Sequence, residues 1–325
     1  METRNRRILL ITNPISGTYS KQRISQEIEK RVRNMGHEIE TVYTSGPGDA
    51  TRLAREAVEK HFDIVLSCGG DGTVNETARG LLHSDVALGI LPNGSGNGLA
   101  RHIDIPPDPL LALKIVKQMN VVDCDYCTVN DVPFFCTFGI GFDAAVSRRF
   151  AMSRRRGLMT YLKSAIEEFM QFNSEKCTLT VNGQSIEVNA FLIACCNASQ
   201  YGNNAFIAPT ASITDGILDI TIVHHGNAIS QLLVGVDLLT GSIAKGGLID
   251  TFRTESVIIE RSKEGIVHLD GESIEMPKRL DVRCHRGGLK ILSPSKKSRF
   301  KPLFTPVRLF FRDCGITMSR LINNK

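Results

Sequence analysis

Two glycine-rich turns carry the chemistry to which this sequence is best suited, the holding of a phosphate. The first is Gly69-Gly70-Asp71-Gly72-Thr73, set between the apolar run 63–67 and a helical stretch from Val74 to Leu82. Glycines there let the backbone approach a ligand, and the N–H groups that open a helix favour an anion. No Gly-Lys-Ser/Thr is present, so the turn is not a Walker A loop. Its acid, Asp71, points to a metal-bridged or ribose-facing role rather than a lysine clamp. The second turn is Pro92-Asn93-Gly94-Ser95-Gly96-Asn97, between a strand at 87–91 and a helix at 98–102. Ser95 can hydrogen-bond a phosphate oxygen, and Asn97 a phosphate or a metal-bound water. Two such turns at one end of a parallel sheet make a single crevice. Near the other end of the chain, Asp270-Gly271-Glu272 brings two acids together, although taken alone it reads as an exposed hairpin turn.

The elements that must position these turns follow from hydrophobic periodicity. Ile8 to Ile11 is a continuous apolar run, as a strand buried on both faces requires. Ile24, Ile28, Val32 and Met35 form one helical stripe, 38–43 alternates as a strand, and 50–61 reads as a helix. Strands alternating with helices of this length imply a doubly wound α/β sheet over residues 1–122. Beyond that the texture changes to short β-rich segments from 127–129 to 280–284, separated by turns such as Asn182-Gly183 and Arg286-Gly287-Gly288. A largely antiparallel β-sandwich over 123–293 is expected, interrupted by one helix at 158–172.

Composition narrows the function. The chain has 325 residues, 42% of them hydrophobic and 22% charged, enough for two cores. It has no Trp and few aromatics, which speaks against a nucleic-acid binder built on stacked rings. The net charge of +5 is concentrated in a tail, 294–325, where Lys296, Lys297, Arg299, Lys301, Arg308, Arg312, Arg320 and Lys325 face only Asp313. Val307, Phe310, Phe311, Cys314, Met318, Leu321 and Ile322 form a stripe there at helical spacing. Such a helix packs on the first domain or lies on an anionic membrane. The nine cysteines are odd in number and scattered, so Cys124-x-x-Cys127 reads as buried thiols rather than a metal or redox pair. The N-terminal apolar run is too short for a signal peptide or a span, so a cytosolic protein touching membrane from one side is expected.

The ordered set of motifs resembles the diacylglycerol kinase and sphingosine kinase superfamily of lipid kinases. The matching marks are Asn13-Pro14-Ile15-Ser16-Gly17, Thr44 ahead of Gly48-Asp49-Ala50, the two glycine turns, Gly139-Ile140-Gly141-Phe142-Asp143, Asp215-Gly216-Ile217-Leu218-Asp219 and Asp270-Gly271-Glu272. The resemblance implies an N-terminal domain like phosphofructokinase and NAD kinase and a C-terminal β-sandwich, with ATP and lipid meeting between them. It implies nucleotide contacts from Asn13, Thr44, Gly69, Gly70, Asp71, Gly72, Thr73, Val74, Asn75 and Ser95, with Asp71 also holding magnesium. It makes Glu272 the proton acceptor, with Asp270 as its competitor. Ser212, Asp215 and Ile217 match a structural magnesium site, the first and last through backbone carbonyls. Phosphoryl transfer asks for positioning and charge neutralisation, and magnesium for hard oxygen ligands, which these acids suit.

Ser95 and the Gly-Ser-Gly-Asn-Gly reading lean toward sphingosine kinases, whereas Ser147 stands where those enzymes place a headgroup-holding acid. The acceptor lipid is therefore diacylglycerol or a sphingoid base. Asp123 falls near the metal network of the family. Arg154-Arg155-Arg156 follows the Gly-Phe-Asp motif as phosphate-contacting arginines do in sphingosine kinases, and otherwise reads as a solvated face. His224-His225 reads as surface. An NAD kinase and a non-catalytic nucleotide- or lipid-binding regulator are the rival functions, and a homodimer is compatible with the resemblance.

Overall fold

The computed structural model describes residues 5–14, 21–152, 174–202, 205–226 and 248–295. The expected helix at 158–172, the Arg154–Arg156 run and the tail from 296 onward lie outside these residues.

The first third alternates as the periodicity demands. The chain runs β1 (Arg7–Thr12), α1 (Lys21–Asn34), β2 (Glu38–Tyr43), α2 (Asp49–Glu59), β3 (Ile64–Gly69), α3 (Asp71–Leu81), β4 (Ala87–Pro92), α4 (Gly98–His102) and α5 (Pro109–Gln118). The four strands are parallel in the order β4-β3-β1-β2. Strands β1, β3 and β4 are buried almost throughout because helices cover both faces. After β2 the chain crosses to the other side of β1, so the order reverses between β1 and β3. Ligands of open α/β sheets bind at such a reversal, beyond the carboxyl ends of the strands. Asn13, Thr44, Gly69–Thr73 and Asn93–Asn97 all follow those carboxyl ends.

The rest is antiparallel: β5 (Val121–Val129), β6 (Val132–Phe134), β7 (Thr137–Gly141), α6 (Phe142–Met152), β8 (Glu175–Val181), β9 (Gln184–Cys196), β10 (Leu218–His224), β11 (Ile249–Thr254), β12 (Ser256–Arg261), β13 (Gly265–Leu269), β14 (Glu272–Met276) and β15 (Arg279–Leu292). The β8–β9 hairpin turns on Asn182 (φ 50°) and Gly183 (φ 79°), both left-handed as a two-residue hairpin requires. Separate cores form under the two regions.

One expectation is corrected here. Arg286-Gly287-Gly288 does not end a strand. It forms a bulge inside the 14-residue β15, with Gly287 and Gly288 at φ 63° and 100° and the register against β5 shifting between His285 and Gly288. Past the bulge β15 reaches β4, pairing Ile291 with Leu88 in parallel. The sandwich and the α/β sheet are thus hydrogen-bonded into one continuous path among the described residues, which fixes the second domain against the first.

Candidate active site

The two glycine turns touch through their backbones. A Cβ on Gly94 would lie 2.5 Å from the Gly70 Cα, so no side chain fits between them. Asp71 joins them as well: its Oδ2 accepts from the Asn97 N–H at 2.8 Å and its Oδ1 from the Gly98 N–H at 2.6 Å. The carboxylate therefore satisfies the open N-terminus of the short helix α4. Burial pushes the Asp71 pKa up, against the pull of these N–H groups. Asn97 takes the left-handed conformation (φ 53°), and its amide closes its own loop, donating to the Gly94 carbonyl at 2.8 Å and accepting from the Gly94 N–H at 3.2 Å. That side chain shapes the turn through bonds within its own loop. Ser95 stands exposed at the tip.

Asn13 donates through Nδ2 to Thr73 Oγ1 at 3.2 Å, and its N–H bonds the Cys68 carbonyl at 3.1 Å, tying β1 to the first turn. Thr44 is buried at the end of β2, its N–H on the Thr12 carbonyl at 3.0 Å. Sequence reasoning missed Glu76 of α3. Its carboxylate accepts from the N–H groups of Gly48 (2.8 Å) and Ala50 (3.1 Å), holding the Gly48-Asp49-Ala50 turn beside the crevice.

The second domain closes the crevice with its two acids, which differ sharply. Asp270 is left-handed (φ 49°), and its carboxylate accepts from the N–H groups of Phe135 (2.8 Å), Cys136 (2.7 Å) and Thr137 (2.9 Å) and from Asn75 Nδ2 of α3. Those bonds occupy both oxygens and pin the sandwich to the first domain. Burial raises the Asp270 pKa, and the N–H donors pull it back. Glu272 makes no hydrogen bond through its side chain among the described residues. Its Oε1 lies over the first turn of α3, 3.1 Å from where a Cβ on Gly72 would stand. The residue is exposed overall, but the protein around its carboxylate raises its pKa; the Arg79 charge opposes this, while Glu76 and Asp270 add to it. Arg79, whose Nε is buried without a partner, is a further residue the sequence did not single out.

Between the domains lies a cavity of about 20 Å³ lined by Asp71, Val74, Asn75, Leu99, Tyr201 and Asp270, among others. Asn75 Oδ1 is buried there with no partner. That amide oxygen and Asp71, whose two oxygens each accept one N–H from the α4 turn, would be the hard-oxygen ligands for a cation there, whereas each Asp270 oxygen already accepts two donors. The volume admits one water-sized particle. The other expected metal position differs. The Asp215 carboxylate is paired with Arg253 and accepts from the Ile217 N–H at 3.2 Å, while Arg286 donates to the Asp215 carbonyl at 2.9 Å. Ser212 is engaged with Thr214 at 3.2 Å. One guanidinium, Arg253, already pairs that carboxylate, while Arg286 takes the backbone carbonyl. The Ser212 bond involves its hydroxyl and not the carbonyl the resemblance assigns to a metal, so no step is derived through a metal there.

Asp123 is exposed, opposite Lys290 in register. Its neighbour Asp125 is the buried one, accepting from the N–H groups of Gly216 (2.6 Å) and Gly287 (2.8 Å). It thereby holds the Asp215 turn against the β15 bulge. Cys124 and Cys127 face different cores, as residues three apart on a strand must, so they do not form a pair. His224 meets Asp250 across β10 and β11 at 2.7 Å.

A glycine-lined crevice at the carboxyl edge of a parallel sheet, closed by a carboxylate from a β-sandwich, defines a two-domain kinase architecture. Comparison with known proteins gives the family. The model described as "Diacylglycerol kinase catalytic domain" matches residues 7–129, and "YegS C-terminal NAD kinase beta sandwich-like domain" matches 137–293. The chain is 31% identical to the "Probable lipid kinase YegS-like" protein of Chromohalobacter salexigens over 253 residues, covering 76% of this chain and 81% of that one. It is 27% identical to the "Diacylglycerol kinase" of Bacillus subtilis over 274 residues, covering 82% and 90%. The chain belongs to the diacylglycerol kinase and YegS family of lipid kinases. In fold it is similar to a diacylglycerol kinase of Bacillus anthracis (TM-score 0.72, 22% identity, 90% and 99% of the chains). It is more distantly similar to an NAD kinase of Archaeoglobus fulgidus solved with ATP (TM-score 0.52, 14% identity, 89% and 94%). No helix among the described residues is long and apolar enough to cross a membrane.

Proposed function

We propose that this chain transfers the γ-phosphoryl group of ATP to the hydroxyl of a membrane lipid, diacylglycerol or a sphingoid base. The observation that carries the reading is the Glu272 carboxylate, without a hydrogen bond among the described residues and raised in pKa, standing over Gly72 at the start of α3. A phosphoryl group seated on the N–H groups of 69–73 has this acid beside it. The lipid hydroxyl oxygen bonds the γ-phosphorus, the bond from that phosphorus to the ADP oxygen breaks, and the hydroxyl proton passes to Glu272 Oε1. Asp71 and Asn75 Oδ1 would hold magnesium, which neutralises phosphate charge when bound. Asp270 serves as the clasp that sets Asn75 and the sandwich in place. Asn13, Thr44 and Thr73 frame the nucleotide pocket, and Ser95 at the loop tip meets its phosphates.

The likeness to an NAD kinase fold makes NAD a fair rival acceptor. Incubation with γ-labelled ATP, magnesium and separate samples of diacylglycerol, sphingosine and NAD tests both readings. Label in a lipid phase supports the proposal. Label on NAD alone, or on none of the acceptors, overturns it.

A further inference from the structure

A groove of about 580 Å³ opens where β7 ends and β13 begins. Along those strands it is four residues from Thr137 and Leu269, which adjoin Asp270, hence roughly 13 Å from the phosphoryl-transfer cavity. Its charged lining comprises Arg148, Arg149, Arg261 and Lys263, against Glu175 and Glu264. Arg261 is the unusual member. It is only 6% exposed, yet no carboxylate lies within ion-pair distance of it among the described residues.

Its guanidinium instead donates to the carbonyls of Met276 (2.8 Å), Pro277 (3.0 Å), Gly265 (3.2 Å) and Ile266 (3.4 Å), and its Nε is buried with no partner. Carbonyls satisfy N–H groups without neutralising the charge, which Glu175 offsets only from beyond ion-pair distance, and a buried cation so weakly compensated is costly. Arg148 and Lys263, both exposed, likewise have no ion-pair partner among the described residues. The described lining thus carries four cationic side chains against two carboxylates, around a buried guanidinium that makes no ion pair among the described residues. Its volume falls in the range of organic-ligand sites, about 300–1,000 Å³, and a bare phosphate would not fill it.

We propose that this groove seats the phosphate of an anionic phospholipid headgroup, apart from the acceptor hydroxyl, and so holds the enzyme on an anionic bilayer during turnover. The turnover clause rests on the lipid kinase reading; the binding does not. Arg148 and Lys263 meet the phosphate at the mouth, and Arg261 supplies the buried charge beneath.

The test is co-sedimentation of the full chain with phosphatidylcholine vesicles, with and without phosphatidylglycerol. Arg148→Glu combined with Lys263→Glu is expected to weaken binding to the anionic vesicles by at least about tenfold. Melting temperature and phosphorylation of a water-soluble short-chain acceptor should stay unchanged. Lys114→Glu with Lys117→Glu on α5 makes the same charge change outside the groove and should keep most of the binding. Equal loss in both pairs, or no loss in the groove pair, overturns the proposal. So does full displacement of the wild type from vesicles by inorganic phosphate at constant ionic strength, which would assign the groove to the free anion. Because vesicle binding is read without turnover, its failure is distinguishable from failure of the kinase reading.

Discussion

Replacing Glu272 by Gln should separate catalysis from stability, because its carboxylate contributes no hydrogen bond among the described residues to the fold. The amide keeps the shape over Gly72 and removes only the proton acceptor. Loss of a positioned general base costs about 10²–10⁴-fold in rate, so kcat should fall by that factor with the KM for ATP nearly unchanged. Asp270→Asn is the contrasting perturbation. Its carboxylate takes N–H donors from Phe135, Cys136, Thr137 and Asn75, and an amide can accept at only one of its two atoms. Each oxygen takes two of these donors, so two are then left facing an NH₂ group, at about 1–3 kcal/mol each. A protein of this size loses roughly 2–4 °C in Tm per kcal/mol, so Asp270→Asn should melt several degrees lower, whereas Glu272→Gln should melt like wild type. Steady-state kinetics and calorimetry on both variants read the two effects. A Glu272→Gln enzyme with near-normal kcat, paired with an inactive Asp270→Asn enzyme of normal Tm, would refute this division of labour.

Four further outcomes follow from the same geometry. Burial raises Asp71, Asp270 and Glu272, so just above the usual carboxylate range the native state binds more protons than the unfolded one. Their contribution to stability is thus present at low pH and declines as pH rises through the raised values; Asp71→Asn should flatten that decline in a Tm series. The acid limb of kcat/KM should likewise sit above the ordinary Glu value of about 4.3, activity rising with pH as Glu272 ionises. Gly94→Ala would drive a Cβ to 2.5 Å from the Gly70 Cα, and backbone cannot yield cheaply; nucleotide affinity by calorimetry should fall about tenfold or more at a cost of about 1–3 kcal/mol. Asp125→Ala should orphan the buried N–H of Gly216 and the part-buried one of Gly287, lowering stability in urea by about 2–5 kcal/mol while leaving nucleotide affinity intact.

What the sequence disclosed was mostly local. Apolar runs, helical stripes and the two glycine turns are read within about a dozen residues, and they placed the parallel sheet, the crevice and Asp71 in it. Asn182-Gly183 likewise announces its hairpin because only certain residues accept left-handed backbone. The long-range partners were hidden. Nothing near Glu76 says that it holds the Gly48–Ala50 turn, and nothing near Asp125 says that it clasps Gly216 and Gly287. The glycines at 287 and 288 look like a turn in sequence, whereas pairing with β5 both before and after them makes them a bulge. Asp270 and Glu272 were indistinguishable as two acids in one short motif. Their separation comes from the N–H groups of 135–137, which reach Asp270 alone. The expected magnesium ligand Asp215 could not be seen to meet Arg253, 38 residues away in the chain.

The most direct test of the account is transfer of γ-labelled phosphate into the organic-extractable lipid fraction, with wild type and Glu272→Gln measured side by side. The account predicts labelled lipid phosphate from the wild type and a rate at least about 100-fold lower from the variant. Equal labelling by both proteins, or none by the wild type with any lipid offered, would contradict it.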